Sequence, residues 1–149
     1  MGNSYISSYI HYIFSIKNHK KYLSSEIRER LFPYIGGICK KNNLRLIKAG
    51  GVLDHMHLLV SFSSTIAIAK AIQYIKGGSS KWIHETYPDM KDFSWQEGYG
   101  AFSISISQIE RTIKYILNQE NHHRKKTFRE EFIEILKYHQ IEFDERYLV

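Results

Sequence analysis

The sequence predicts an α+β domain: a ferredoxin-like split β-α-β fold with a four-stranded antiparallel sheet, two helices on one face, and two further helices at the C-terminal end. Three observations carry this prediction. Alternating faces mark three segments as strands and 44–51 reads as a fourth, and apolar residues at helical spacing mark two segments between them, in the order β-α-β-β-α-β. Two matches to the S/T-x-x-E capping box, "SQIE" at 107–110 and "TFRE" at 127–130, then start two more helices. The 149 residues suit one hydrophobic core, so residues 1–149 read as a single domain.

The first strand is expected over 4–17, "SYISSYIHYIFSIK". Ile6, Ile10, Tyr12, Phe14 and Ile16 share one face; Tyr5, Ser7, Tyr9, His11 and Ser15 share the other. A helix follows over 24–43, with Ile27, Leu31, Ile35 and Ile38 at helical spacing and Ser24 or Ser25 as its cap. Pro33 lies inside it and should kink it. Residues 44–51 and 53–62 are the second and third strands, separated by Gly50–Gly51. In the third, Met56, Leu58, Val60 and Phe62 take one face, and His55, His57, Leu59 and Ser61 take the other.

The next helix opens at 61–65, with Ile68, Ile72 and Ile75 as its stripe. It either breaks at Gly77–Gly78 or runs on to about Glu85. Residues 87–92 form a loop, and 99–106 alternate as the fourth strand. The helix from Ser107 should span 107–121, and the last helix 127–138, with Phe128, Phe132, Ile135 and Leu136 on its apolar face. On this arrangement the two sheet helices cover the face of Met56 and Leu58. The second face is left open, and His55 and His57 point to it.

Composition narrows the function. The chain carries a net charge of +6 with histidines neutral, and so favours a phosphate-rich partner. Its one cysteine, Cys39, excludes an intrachain disulfide and any zinc site built on several cysteines. No apolar run reaches the roughly 20 residues of a membrane helix. The N-terminus shows no signal peptide, and "MGNSYI" fits the start of a strand better than a myristoylation signal. A reducing cytoplasm is the expected location.

Two clusters carry chemistry. His55 and His57 are i and i+2 on a strand, about 6.5–7 Å apart on one face, so that two imidazoles can share one divalent cation. In the helix from Ser107, Ile109, Ile113, Ile116 and Leu117 form the apolar stripe. Tyr115 lies away from its centre, on the side of Gln108, Arg111, Asn118, Gln119 and His122, with Gln119 one turn on. A metal at the histidines can polarise a phosphodiester. A tyrosine hydroxyl, weakly nucleophilic with a pKa near 10, could then attack it and form a tyrosine–phosphate ester. Gln119 could supply an oxygen ligand that ties this helix to the metal.

With these residues in view, the sequence resembles the single-tyrosine HUH transposases of small insertion sequences, over nearly its whole length. "LDHMHLLVSF" looks like the His–hydrophobic–His segment, and "IKYILNQ" looks like the Tyr-x-x-x-Gln helix. "IKGGSSKWI" and "FSWQEGYGAFSIS" resemble the segments between them. The resemblance implies that His55, His57 and Gln119 hold Mg²⁺ or Mn²⁺, and that Tyr115 attacks DNA, keeps its 5′-phosphate and frees a 3′-OH. It also implies a single-stranded DNA substrate with imperfect hairpins at the element's ends, and a homodimer whose tyrosine helix can complete the partner's histidine site.

Other residues are weighed more evenly. Lys40, Lys41, Arg45, Lys76, Lys81, Arg124, Lys125 and Lys126 are candidate DNA contacts, the last three also readable as a solvated charge run. Asp54 reads as structural or surface before it reads as an orienting carboxylate. His122 reads as a surface histidine, and Trp82 and Trp95 read as packing residues. A domesticated relative that cuts host repeat hairpins would carry the same motifs. A nonenzymatic basic nucleic-acid-binding module would leave the two clusters unexplained. A phosphoesterase with two H-x-T/S motifs finds only His84–Glu85–Thr86.

Overall fold

The structure is a computed structural model and describes residues 2–148. Its element order is β1 (Tyr9–Ser15), α1 (Ser25–Lys41), β2 (Arg45–Gly51), β3 (His55–Ser61), α2 (Ile68–Thr86), β4 (Gly100–Ile104), α3 (Ile109–Leu117), α4 (Gln119–His122) and α5 (Phe128–Tyr138). The four strands form one sheet in the order β2-β3-β1-β4, every neighbouring pair antiparallel. The predicted fold class is the one observed.

The main core lies where alternation placed it. Ile10, Tyr12 and Phe14 of β1 and Met56, Leu58 and Val60 of β3 meet Leu31, Ile35 and Cys39 of α1 and Ala71, Ile72 and Ile75 of α2. Each fully buried aliphatic side chain contributes about 1.5–3 kcal/mol. Cys39 is fully buried, and burial pushes its thiol up to about 11. The folded protein should therefore not react with a disulfide reagent at pH 8, and should release one equivalent in denaturant. Rapid reaction without denaturant would show that this core opens readily.

Several local expectations change. β1 begins at Tyr9 rather than at residue 4, and Tyr5 and Ile6 are exposed. They lie beyond the strand's pairing with Ser61 of β3 and Ile104 of β4 and so reach no core. Ser24 caps α1, its Oγ accepting from Ile27 N at 3.3 Å. The helix runs from Ser25 to Lys41 through Pro33. Pro33 sits on the exposed face, where water can satisfy the carbonyl it leaves unbonded. α2 takes the longer option and passes through Gly77–Gly78. Gly50 and Gly51 are not the turn between strands. They are the last residues of β2, paired with His57 and Met56, and the turn is Val52–Asp54.

The second sheet face is not open. Ile13 of β1 and Phe102 of β4 pack with Phe128, Phe132 and Leu136 of α5 in a second cluster, and α3 packs on β2 and β3. Apolar residues on that face require a cover, and the C-terminal helices supply it. Among the described residues no helix is long and apolar enough to cross a membrane.

Candidate active site

The site forms where the C-terminal helices close over β3 and β1. His55 and His57 start β3, and both are fully buried on the face that α3 to α5 cover. Each ring is held from behind. The Nδ1 of His55 lies 2.8 Å from Asp54 Oδ1, and the Nδ1 of His57 lies 2.9 Å from His11 Nε2. A histidine fixed through Nδ1 presents Nε2 forward, the arrangement that orients metal-binding imidazoles. Asp54 is thus an orienting carboxylate and not merely structural. Burial opposes its charge, yet its bond to His55 holds it below the usual carboxylate range. Burial lowers His11 well below the ordinary imidazole value, and the adjacent His57 lowers it further, leaving a neutral ring able to accept a bond. The donor chemistry at His55 and His57 fits a divalent ion.

The tyrosine segment reaches the same place by a different local route. The S-x-x-E box at Ser107 does not form. Ser107 lies in a 3-10 turn, its Oγ bonded to Ser105 Oγ, and α3 starts at Ile109 without a side-chain cap. The expected single helix over 107–121 divides at Asn118, which separates α3 from α4, and Leu117 at that end is exposed rather than part of the apolar stripe. The register survives, because Asn118 and His122 still bond back to Lys114 and Asn118. Gln119 is buried, with its Nε2 donating to Tyr115 O at 3.3 Å and its Oε1 3.3 Å from His55 Nε2. Arg28 of α1 fixes the start of α4 by donating to Glu120 Oε1 at 3.0 Å and to Leu23 O at 2.6 Å.

Tyr115 stands beside His57, ring centroids 5.7 Å apart, and donates its hydroxyl hydrogen to Glu131 Oε2. Burial pushes this phenol far above its usual range, and the Glu131 carboxylate pushes it further, so it rests protonated. The other oxygen of Glu131 faces the histidines, 3.0 Å from His57 Nε2 and 3.1 Å from His123 Nε2. Burial works against charge on Glu131, but bonds to His123, His55 and His57 prevail and hold it well below the usual carboxylate range.

Tyr115, His55, His57 and Gln119 therefore converge within one chain. Three neighbours escaped sequence reasoning. His11 had a signal, since alternation put it on the sheet face of His55 and His57. Glu131 had one too: it is an acidic residue on the apolar side of α5, between Phe128 and Phe132. The histidine that approaches the centre is His123, 4.3 Å from His55 between ring centroids, whereas His122 lies against Tyr115 at 4.6 Å.

The basic candidates scatter. Lys40, Lys41, Arg45 and Lys81 are exposed on or near α1, β2 and α2. Lys76 is not free: its ammonium donates to Gln96 O and Gly98 O, and burial pushes it down to about 8. Arg124, Lys125 and Lys126 line a groove with Lys21, Arg28, Asp54 and His123, directly beside the histidines. Trp95 is buried edge-on against Phe14 and Phe93, as a packing residue; Trp82 is half-buried and stacked on Tyr34.

A tyrosine-bearing helix here lies against a strand-borne His-x-His pair on a split β-α-β sheet, and the comparisons identify the family. The family described as "Transposase IS200 like" matches residues 4–119, and the chain belongs to that family. It is 25% identical over 118 residues to the transposase of insertion sequence element IS200 from Salmonella typhimurium, covering 74% of this chain and 77% of that one. It is 27% identical over 116 residues to the ISDra2 transposase TnpA of Deinococcus radiodurans, covering 74% and 83%. Among solved structures, a putative transposase from Deinococcus radiodurans has the same fold, with a TM-score of 0.65, 22% identity, and coverage of 78% and 97%. A REP-associated tyrosine transposase bound to a REP hairpin also shares it, with a TM-score of 0.57, 15% identity, and coverage of 78% and 68%.

Proposed function

We propose that this protein cleaves and rejoins single-stranded DNA at the ends of an insertion sequence, through a 5′-phosphotyrosine at Tyr115. The observation that carries this reading is one carboxylate bonded on one side to the Tyr115 hydroxyl and on the other to His57. The nucleophile and the histidine pair share a centre. The Tyr115 oxygen attacks the phosphorus, the bond from phosphorus to the 3′-oxygen breaks, and the 5′-phosphate stays on the tyrosine while a 3′-OH is freed. Glu131 orients the hydroxyl through its bond, the phenolic proton passes to water, and the 3′-oxygen takes a proton from water. A 3′-OH of another end reverses the step and joins the strands.

His55, His57 and Gln119 would hold the divalent ion, Mg²⁺ or Mn²⁺. When bound, it polarises the phosphate and offsets charge in the transition state. The groove of Arg124, Lys125 and Lys126 would carry the DNA backbone to this centre. The hairpin bound by a structural neighbour supports a hairpin at the element's end as the recognised feature. A homodimer would bring two ends together. Its tyrosine helices could complete each other's histidine sites, and within one chain Gln119 and Tyr115 lie against that chain's own histidines.

The test is incubation with single-stranded DNA from the flanks of the gene, with Mg²⁺, followed by denaturing electrophoresis. The wild-type chain should shift into a covalent adduct, and Tyr115→Phe should form none while still retarding the hairpin in a native gel. Adducts from the Phe variant would remove Tyr115 as the nucleophile.

A further inference from the structure

The family match ends at residue 119, yet the centre does not. The turn after α4 and the first turns of α5 send two more side chains into it, His123 and Glu131. The Glu131 side chain is 4% exposed and that of His123 11%. Ligand atoms of His55, His57, His123 and Glu131 all lie within 4.8 Å of one another. The individual spacings are tighter. Glu131 Oε1 is 3.5 Å from His55 Nε2, 3.0 Å from His57 Nε2 and 3.1 Å from His123 Nε2. One ion with bonds of about 2.0–2.2 Å holds neighbouring donors roughly 3.0–3.5 Å apart.

The orientation of the rings points the same way. His123 is built like the two strand histidines. Its Nδ1 is held by Lys126 O at 2.8 Å, which turns Nε2 inward. In His55 and His123 both ring nitrogens face oxygen: Asp54 and Glu131 for the first, Lys126 O and Glu131 for the second. A cation set among the three Nε2 atoms and the carboxylate would take one donor atom from each of the four side chains. Backbone capping supports the placement. Thr127 and Glu130 form a complete capping box that fixes the start of α5, and the ring of Phe128 packs on His55 at 4.7 Å.

We propose that the segment beyond the family match completes the metal site: His123 and Glu131 are ligands alongside His55 and His57. Glu131 binds the ion through one oxygen and holds the Tyr115 hydroxyl through the other. Three imidazoles and a carboxylate, with the Gln119 carbonyl beside them, form a donor set better suited to Mn²⁺ than to Mg²⁺, which prefers all-oxygen shells. The proposal rests on the metal-assisted reading above but concerns the ligand set alone.

The experiment is Mn²⁺ titration of the full-length chain by calorimetry, with pulsed electron paramagnetic resonance on the Mn²⁺-loaded wild type to count bound imidazoles. Three coordinated imidazoles are expected, together with a fall of tenfold or more in Mn²⁺ affinity for Glu131→Gln and for His123→Ala. Two imidazoles, with affinity unchanged in both variants and lost in His57→Ala, would overturn the proposal and leave the transposition chemistry standing. No Mn²⁺ binding by the wild type would overturn both. The imidazole count is read on the native chain, so it decides the matter even if a variant fails to fold.

Discussion

Alanine at His57 is expected to lower strand cleavage by about a thousandfold, equivalent to about 4 kcal/mol of lost transition-state stabilisation. The ring is fully buried at the centre of the cluster. Its Nε2 meets Glu131 and its Nδ1 meets His11, so its loss removes one of the proposed metal donors and one of the bonds that position the carboxylate holding Tyr115. Asp54→Ala should cost less, about 10- to 100-fold, because Asp54 only orients the ring of His55. Cleavage rates on a hairpin-flanked single strand, with native-gel binding as control, give the comparison. A His57→Ala protein that keeps more than a tenth of the wild-type rate would remove the histidine pair from the chemistry. Equal losses for the two variants would mean that Asp54 is itself in contact with the ion.

The residues of this site differ in how far the sequence reveals them. His55 and His57 are legible because strand alternation alone decides which face they take. Tyr115 and Gln119 are legible because four residues span one helical turn, even though the capping box that set their register does not form and the helix divides at Asn118. His123 and Glu131 are not legible in this way. They arrive from a turn and a separate helix, and only the packing of Phe128, Phe132 and Leu136 on Ile13 and Phe102 brings α5 over β3. That packing also explains the failed expectation of an open sheet face. Alternation reports that a face is mixed, with Ile13 beside His11 and Ser15, but not which later helix will cover it. The two capping boxes make a similar contrast. "TFRE" follows a turn that leaves Thr127 free to cap, whereas "SQIE" follows β4 so closely that Ser107 is taken into a 3-10 turn.

The glycine pair at 50–51 shows how closely the tyrosine helix rests on the sheet, and it gives the second large effect. Gly50 pairs with His57 across β2 and β3, and α3 lies directly on it. A β-carbon at Gly50 would fall 2.3 Å from Ile116 O and 2.7 Å from Ile116 Cγ2. The obstacle is backbone, one residue beyond Tyr115, so no rotamer change can relieve it. Either α3 rises off the sheet or β2 bends away. Gly50→Ala should therefore destabilise the fold by about 1–3 kcal/mol, with a melting temperature lower by several degrees. It should also slow cleavage by about a hundredfold, since a shift of about 1 Å at a reacting group costs that much. Gly77→Ala is the matched control: it is a glycine inside α2 with nothing within 4 Å of its added β-carbon. It should raise stability by about 0.5–1 kcal/mol and leave cleavage unchanged. Thermal denaturation and adduct formation measured on both variants separate the two effects. A Gly50→Ala protein with wild-type melting and wild-type adduct yield would show that α3 does not rest on β2 in solution, and that the tyrosine reaches its phosphate from some other position.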